Sequence, residues 1–242
     1  TITGGAGIVV RAGEVNIPQT SSVMFTTTAN DSEGWVGDKQ TALKSAAIVF
    51  DKDAQYPGLS YGDCLITIEG GYFDVDESAG TIQIIADTYE YEDEIVVAGG
   101  TFVNDDVDDY LPAGYVVVED TYYTVYRDTT VTTPPTASAI IEGQSLDKSV
   151  ISGGTVQAVT SLSSTASVDV EGTWTWITPS LMPKVSDDNK TKYGIIFTPD
   201  DDEGNAKIIS AEITLRVNPA SGDTTGYVKS ASVSGDTLVY EV

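Results

Sequence analysis

Apolar and polar positions along this chain follow the period of strands rather than helices. β-Branched and aromatic residues gather in short runs, each bounded by Gly, Asp, Asn or Pro. This pattern predicts strands over 7–10, 14–17, 23–28, 46–51, 65–68, 72–75, 81–86, 94–97, 101–103, 115–119 and 122–126. Helical periodicity is nearly absent. Only Gly37–Ala47 (GDKQTALKSAA) has the composition for a turn or two of helix. Many short strands with regular turn signals predict an all-β protein.

Within the first half a unit recurs. A short apolar run followed by Gly-Gly appears at Thr1–Gly5 (TITGG), Leu65–Phe73 (LITIEGGYF) and Glu94–Phe102 (EIVVAGGTF). The last two begin 29 residues apart. A period in that range is the signature of a solenoid, whose coils cannot bury their apolar faces alone and do so by stacking. The expected architecture is a short right-handed parallel β-helix of about three coils. The Gly-Gly pair would make a sharp corner, because glycine reaches positive φ without a Cβ clash. The coil containing Trp35 would carry the Ser32–Ala47 insertion.

The pattern changes after Thr129–Thr136 (TTVTTPPT), which reads as a stiff connector. Strands beyond it lengthen and alternate. In Lys207–Val217, Ile209, Ala211, Ile213, Leu215 and Val217 fall on one face, and Ser210, Glu212, Thr214 and Arg216 on the other. Roughly 85 residues with about seven strands suit a β-sandwich. The expected organisation is therefore a solenoid over 1–128, a linker over 129–136, a sandwich over 137–219 and a tail over 220–242. The tail reads as a hairpin with a Ser-Gly-Asp turn, either extending the sandwich or opening a next module. Both ends of the sequence fall inside strand-like runs, as if cut from something longer.

Charge narrows the partners. Lys and Arg number 12 against 37 Asp and Glu, a net charge of −25. That field repels phosphate backbones and anionic lipid surfaces, so neither nucleic acid nor direct membrane contact is expected. There is no histidine and one cysteine, Cys64. An internal disulfide is excluded, as is chemistry that needs paired Cys or His. Carboxylates are so abundant that chance pairs carry no signal for glycoside hydrolysis. No catalytic residues and no cofactor are assigned. The acidic runs Asn104–Tyr110 and Pro199–Asn205 could offer oxygen ligands to Ca²⁺, with Asp105, Asp106, Asp108 and Asp109 as weak candidates, but neither run has the EF-hand or nonapeptide spacing. Solvated acidic turns are the simpler reading.

Aromatic residues are the remaining candidates. There are 13 Tyr against 5 Phe. Trp35, Tyr56, Tyr61, Tyr89 and Tyr91 are candidate binding residues, since tyrosine adds contact area at low entropic cost. Adjacent tyrosines such as Tyr122 and Tyr123 point to opposite faces of a strand, so one of each pair should cover core or edge. Trp174 and Trp176 share a face, and a sandwich core explains at least one of them. Lys148 and Asn218 are formally placed for a Lys–Asn isopeptide crosslink.

Two stretches also resemble a known kind of protein. Glu94–Tyr126, with Gly99, Gly100, Thr101, Phe102, Tyr110, Leu111, Gly114, Tyr115 and Tyr123–Val125, resembles a terminal coil of large, modular, adhesin-like surface proteins of gut Firmicutes. The second stretch resembles their bacterial Ig-like repeats at Gly143–Leu146, Gly153-Gly154, Gly172–Trp174, Trp176, Phe197–Pro199 and Val217-Asn218. The acidic segments Asp105–Asp109 and Asp200–Glu203 and the long Val159–Asp169 connection depart from that pattern. The resemblance implies an extracellular, wall-attached or secreted adhesin-like fragment, and the lack of any catalytic constellation in the sequence makes enzymatic activity unexpected. The fragment would bind a host glycoprotein, glycan or immunoglobulin through the solenoid. The alternatives are a purely structural stalk and, less favoured, a solenoid-type polysaccharide-degrading enzyme.

Overall fold

The computed structural model describes residues 1–4, 6–10, 13–27, 34–36, 41–43, 46–51, 65–75, 80–85, 95–162, 164–186, 191–200, 204–220, 230–234 and 237–241. Among these the chain is nearly all β, with two single-turn 3₁₀ helices, Asp108–Tyr110 and Leu146–Lys148, and no α-helix. No described helix is long and apolar enough to cross a membrane. The chain divides into two compact units.

The first unit contains β1 (Ile2–Gly4), β2 (Ala6–Val10), β3 (Glu14–Ile17), β4 (Met24–Thr27), β5 (Gly34–Val36), β6 (Thr41–Leu43), β7 (Ala46–Asp51), β8 (Leu65–Ile68), β9 (Tyr72–Val75), β10 (Gly80–Ile85), β11 (Ile95–Val97), β12 (Thr101–Phe102), β13 (Tyr115–Glu119) and β14 (Tyr123–Arg127). Three sheets are visited in rotation. The first runs β1-β4-β9-β12, the second β2-β7-β10, the third β3-β8-β11. Every one of these pairings is parallel. Each circuit of the chain thus lays one strand on each sheet. The β5–β6 hairpin interrupts the second circuit, pairing Trp35 with Ala42.

The Gly-Gly corners explain the repeat. A Cβ on Gly70 would sit 2.6 Å from the Pro18 carbonyl oxygen, and one on Gly99 would overlap the Glu69 carbonyl oxygen. The first glycine of each pair therefore lies flat against the circuit before it. The second, Gly71 or Gly100, takes φ of 93° or 99° and turns the chain into the next strand. Backbone bonds lock the corners together, with Tyr72 N–H on Val23 O at 3.0 Å and Thr101 N–H on Gly71 O at 3.0 Å.

In-register stacking then builds the core. Phe25, Phe73 and Phe102 occupy one row of the first sheet. Their rings stack nearly parallel, with centroids 5.0 and 4.7 Å apart, and all three are buried. Val10, Ile48 and Phe50 meet them from the second sheet, and Ile17, Ile66, Ile68, Ile95 and Val97 from the third. The sequence allows a turn or two of helix within Gly37–Ala47. The structure has strand at Thr41–Leu43 and from Ala46 on, while 37–40 and 44–45 lie outside the described residues. The reason is tertiary: β7 is the central strand of its sheet, paired on both edges, and Ala46–Phe50 is wholly buried. Ladder bonds on both edges of β7 outweigh the helix propensity of Ala46 and Ala47.

Three devices close this unit beyond the third circuit. The first sheet ends in the antiparallel hairpin β13–β14, with β14 paired to β12. The second ends at Asp106, whose carboxylate accepts the Thr81 N–H and hydroxyl, both at 2.6 Å. The third ends at Asn205, whose side-chain amide donates to the Ala98 carbonyl. Val107, between the aspartates, is fully buried against the core, backed by Tyr110, Leu111 and Tyr115. Thr81 is itself fully buried. Asp106→Ala would leave its two donors unsatisfied, at a cost of about 1–3 kcal/mol. Urea unfolding of the variant, with amide exchange of Gly80–Ile85 as the local readout, should show that loss, and Asp106→Asn should retain part of it.

The unit also takes in Val156–Glu171 and Pro199–Lys207, which the sequence pattern assigned to the second module. Strands Thr155–Ser161 and Ser164–Asp169 form an antiparallel hairpin. The Arg127 guanidinium donates to the Val159 carbonyl at 3.2 Å. Arg127 N–H donates to Asn205 O at 2.9 Å, and Lys207 N–H returns to Arg127 O at 3.0 Å.

The second unit holds Val131–Thr155, Gly172–Thr198 and Ile208–Val242. Strands Gly172–Trp176, Lys192–Pro199 and Ile209–Thr214 form one sheet. Short pairs join Thr136–Ala137 to Ile151–Ser152 and Ile140–Ile141 to Val217–Asn218. Ile140, Leu146, Trp176, Ile195, Ile213, Leu215 and Val217 make its core. The expected alternation is visible: Ile213, Leu215 and Val217 are buried, while Ser210, Glu212, Thr214 and Arg216 are exposed. Ser230–Ser234 and Thr237–Glu241 pair as an antiparallel hairpin.

Candidate binding face

Register on the first sheet decides which residues share its outer surface. Along each strand successive side chains alternate between core and exterior. The residue after each Gly-Gly corner points out, and the next points in. Tyr72 and Thr101 therefore face outward beside the buried Phe73 and Phe102. Pairing extends that outer row in both directions, to Met24 on β4 and Thr124 on β14. Met24–Tyr72–Thr101–Thr124 is thus a straight uncharged row across four strands, spanning about 14 Å at ~4.8 Å per strand. Met24 is 40% exposed. The Thr101 and Thr124 hydroxyls lie 3.4 Å apart.

Tyr122 completes the face. It is 42% exposed, and its ring meets that of Tyr72 edge-on at a centroid distance of 5.5 Å. Its neighbour Tyr123 packs against the core instead, as the alternation of a strand requires. A hydrogen bond with Tyr122, partial burial and the nearby Asp74 carboxylate push the Tyr72 phenol up to about 12. The Glu119 carboxylate beside it also raises Tyr123. Both rings remain neutral hydrogen-bonding groups through the physiological range.

The residues singled out from the sequence fall elsewhere. Trp35 lies on β5, and its side chain is outside the described residues, as are Tyr56, Tyr61, Tyr89, Tyr91 and Cys64. Asp105, Asp106, Asp108 and Asp109 do not converge. Asp106 is bound to Thr81, while Asp108 and Asp109 sit on a 3₁₀ turn. Among the described residues no three Asp, Glu, His or Cys side chains gather closely enough to hold a metal ion. Trp174 and Trp176 both pack on the core of the second unit. Trp174 lies 5.1 Å from the Phe197 ring, and Trp176 donates its indole N–H to the Ser149 carbonyl at 3.2 Å. The Lys148 side chain is 60% exposed and pairs with Asp147 at 3.1 Å, so the ammonium faces solvent rather than an apolar crosslinking pocket. The Met24 row was missed as a site because single-strand alternation marks outward positions without showing which of them are neighbours. Aligning the Gly-Gly repeats would have placed Tyr72 beside Thr101.

No protein-family model, no curated protein and no solved structure matches this chain.

Proposed function

We propose that this chain is a non-catalytic binding fragment of a bacterial cell-surface or secreted protein. In this reading the first unit is a short right-handed parallel β-helix that displays the ligand face, and the second is an Ig-like β-sandwich acting as a spacer. Rotation of the chain through three parallel sheets around a stacked phenylalanine row supports the β-helix. A three-stranded sheet that shares its core, with buried Trp176, with short flanking strand pairs supports the sandwich.

The observation that carries the binding reading is the outer row of the first sheet. In a chain of net charge −25, methionine, tyrosine and threonine form an outer row without a charge in it, with Met24 and the adjoining Tyr122 exposed and the rest half-buried. The favoured ligands are a glycan, a glycoprotein or an immunoglobulin. A sugar ring can lie on the tyrosines while threonine hydroxyls exchange hydrogen bonds with its own.

The test is capture by the immobilised full chain from mucus and serum proteins, followed by a glycan panel. Enrichment at micromolar concentration is expected, and Met24→Lys with Tyr122→Ala should abolish it, since both side chains are exposed. No enrichment, or equal capture by the double variant, would leave a stalk as the better reading.

A further inference from the structure

The outer face of the first sheet continues past the Met24 row onto β13, where Val118 is in register with Thr124. Tyr115, Val117, Tyr123 and Val125 pack on the core. By strand alternation Val116, Val118, Thr124 and Tyr126 therefore face outward. Val116 and Tyr126 are themselves in register. From Met24 to Val118 the uncharged row crosses β4, β9, β12, β14 and β13, about 19 Å at ~4.8 Å per strand.

The size of this strip limits what it can hold. Outward rows on one sheet lie about 7 Å apart, so two rows of this length cover a few hundred Å². A stable protein–protein interface takes about 800 Å² from each partner. Most of the row is also half-buried, with Met24 and the adjoining Tyr122 the more exposed points. A long, narrow, shallow strip of this kind matches an oligosaccharide better than a protein surface. Its polar groups are hydroxyls: Thr101 and Thr124, 3.4 Å apart, and the hydrogen-bonded phenols of Tyr72 and Tyr122. Each can donate and accept, as sugar hydroxyls do.

The charges around the strip are of one sign. Asp74 lies two residues past Tyr72 on β9 and so points out on the same face. Asp120 N–H donates to the Tyr122 carbonyl at 3.0 Å, which sets Asp120 beside the other tyrosine. Glu119 and Asp105 both act on the neighbouring Tyr123 phenol. All four acids are exposed. Among the described residues of the first unit the bases are Arg127 and Lys207. The Arg127 guanidinium donates to the Val159 carbonyl, and Lys207 pairs with Asp128 at 3.4 Å. Anions are held by charge-assisted N–H donors, above all arginine. Among the described residues no such donor serves this row.

Resting on the binding reading of this row, we infer that its ligand is an uncharged glycan chain, and that the acidic rim, Asp74 first, rejects sialylated and sulfated forms of the same chain. The row supplies ring contact and hydroxyl exchange, which any neutral sugar can return. A carboxylate or sulfate on that sugar meets like charge on both tyrosine-bearing sides and gains no counter-charge. Selection against anionic glycans thus comes from the rim, and affinity from the row.

Glycans presented in pairs test this: each neutral chain beside the same chain carrying one sialic acid or sulfate, probed with the full chain. At about 50 mM salt the neutral member of each bound pair should be held about fivefold more tightly or better. Raising salt to about 500 mM screens the rim and should narrow the gap by weakening the repulsion of the anionic member. Asp74→Lys, at an exposed position, should close or reverse the gap, with unchanged far-UV circular dichroism as the check on folding. Tyr122→Ala should weaken both members of a pair together. Anionic members bound as tightly as neutral ones at low salt would overturn the selectivity and leave the binding reading standing. A gap indifferent both to salt and to Asp74→Lys would overturn it too, because shape and not charge would then be selecting. Binding of no member of any pair would overturn the binding reading of the row along with it.

Discussion

Phe73→Ala is expected to destabilise the first unit by about 4 kcal/mol, in the middle of the range for truncating a buried aromatic. Phe73 is the middle ring of the stack, with Phe25 on one side and Phe102 on the other. Its removal forfeits two ring–ring contacts, each worth about 0.5–1.5 kcal/mol beyond area burial. It also opens a cavity that parallel strands locked on both sides cannot collapse to fill. Phe25→Ala loses one ring contact and should cost about 1 kcal/mol less. With two compact units the chain need not unfold in one step, so a single global midpoint is the wrong readout. Amide exchange measured peptide by peptide under native conditions should show the loss across β4, β9 and β12. The core around Ile195 and Ile213 in the second unit should be unaffected. A loss below about 1 kcal/mol in the first unit would mean that the ring stack is not the spine of the fold.

Much of this architecture was legible in the sequence, and the reasons can be traced to particular residues. The Gly-Gly corners were visible because backbone proximity leaves no room for another residue at Gly70 and Gly99, and positive φ favours glycine at Gly71 and Gly100. Strand positions followed from alternation, and Lys207–Val217 shows it most plainly. The composition of Gly37–Ala47 allows a turn or two of helix, yet Thr41–Leu43 and Ala46–Ala47 are strand, because local propensity cannot register that β7 has a strand on each edge.

The division of the chain was harder to see. Val156–Glu171 and Pro199–Lys207 cluster with the first unit although they lie far along the sequence. Both overlap segments that stood out as departures from the Ig-like pattern, the long Val159–Asp169 connection and the acidic Asp200–Glu203 run. Only three-dimensional contact gives Asn205 its meaning as the residue that ends a ladder begun at Ile17. The acidic run at Asp105–Asp109 is a parallel case. Its composition reads most simply as a solvated turn, and only the structure gives it one cap, Asp106, and one apolar plug, Val107.

Gly99 offers the sharpest separation of the two roles that glycine plays here. Gly99→Ala is expected to cost at least about 3 kcal/mol and to unseat the third circuit, because the added methyl overlaps the Glu69 carbonyl oxygen. That oxygen cannot retreat. Glu69 N–H is tied to Ile17 O at 2.8 Å on the circuit before it, and the Glu69 and Gly99 backbones are held together on either side of the clash by Ala98 N–H on Ile68 O at 2.7 Å and Thr101 N–H on Gly71 O at 3.0 Å. Gly13→Ala is the control. Gly13 has φ of 90°, yet nothing lies within 4 Å of where its Cβ would be. Its cost should therefore be conformational alone, about 1–2 kcal/mol. Chemical denaturation of the two variants, paired with amide exchange of Ile95–Phe102, distinguishes contact from conformation. If the two substitutions cost the same, close stacking of circuits is not what demands the first glycine of each pair. If Gly99→Ala alone releases the amides of β11 and β12, then the Gly-Gly repeat records how closely one circuit lies on the next, and the turn itself is the lesser constraint.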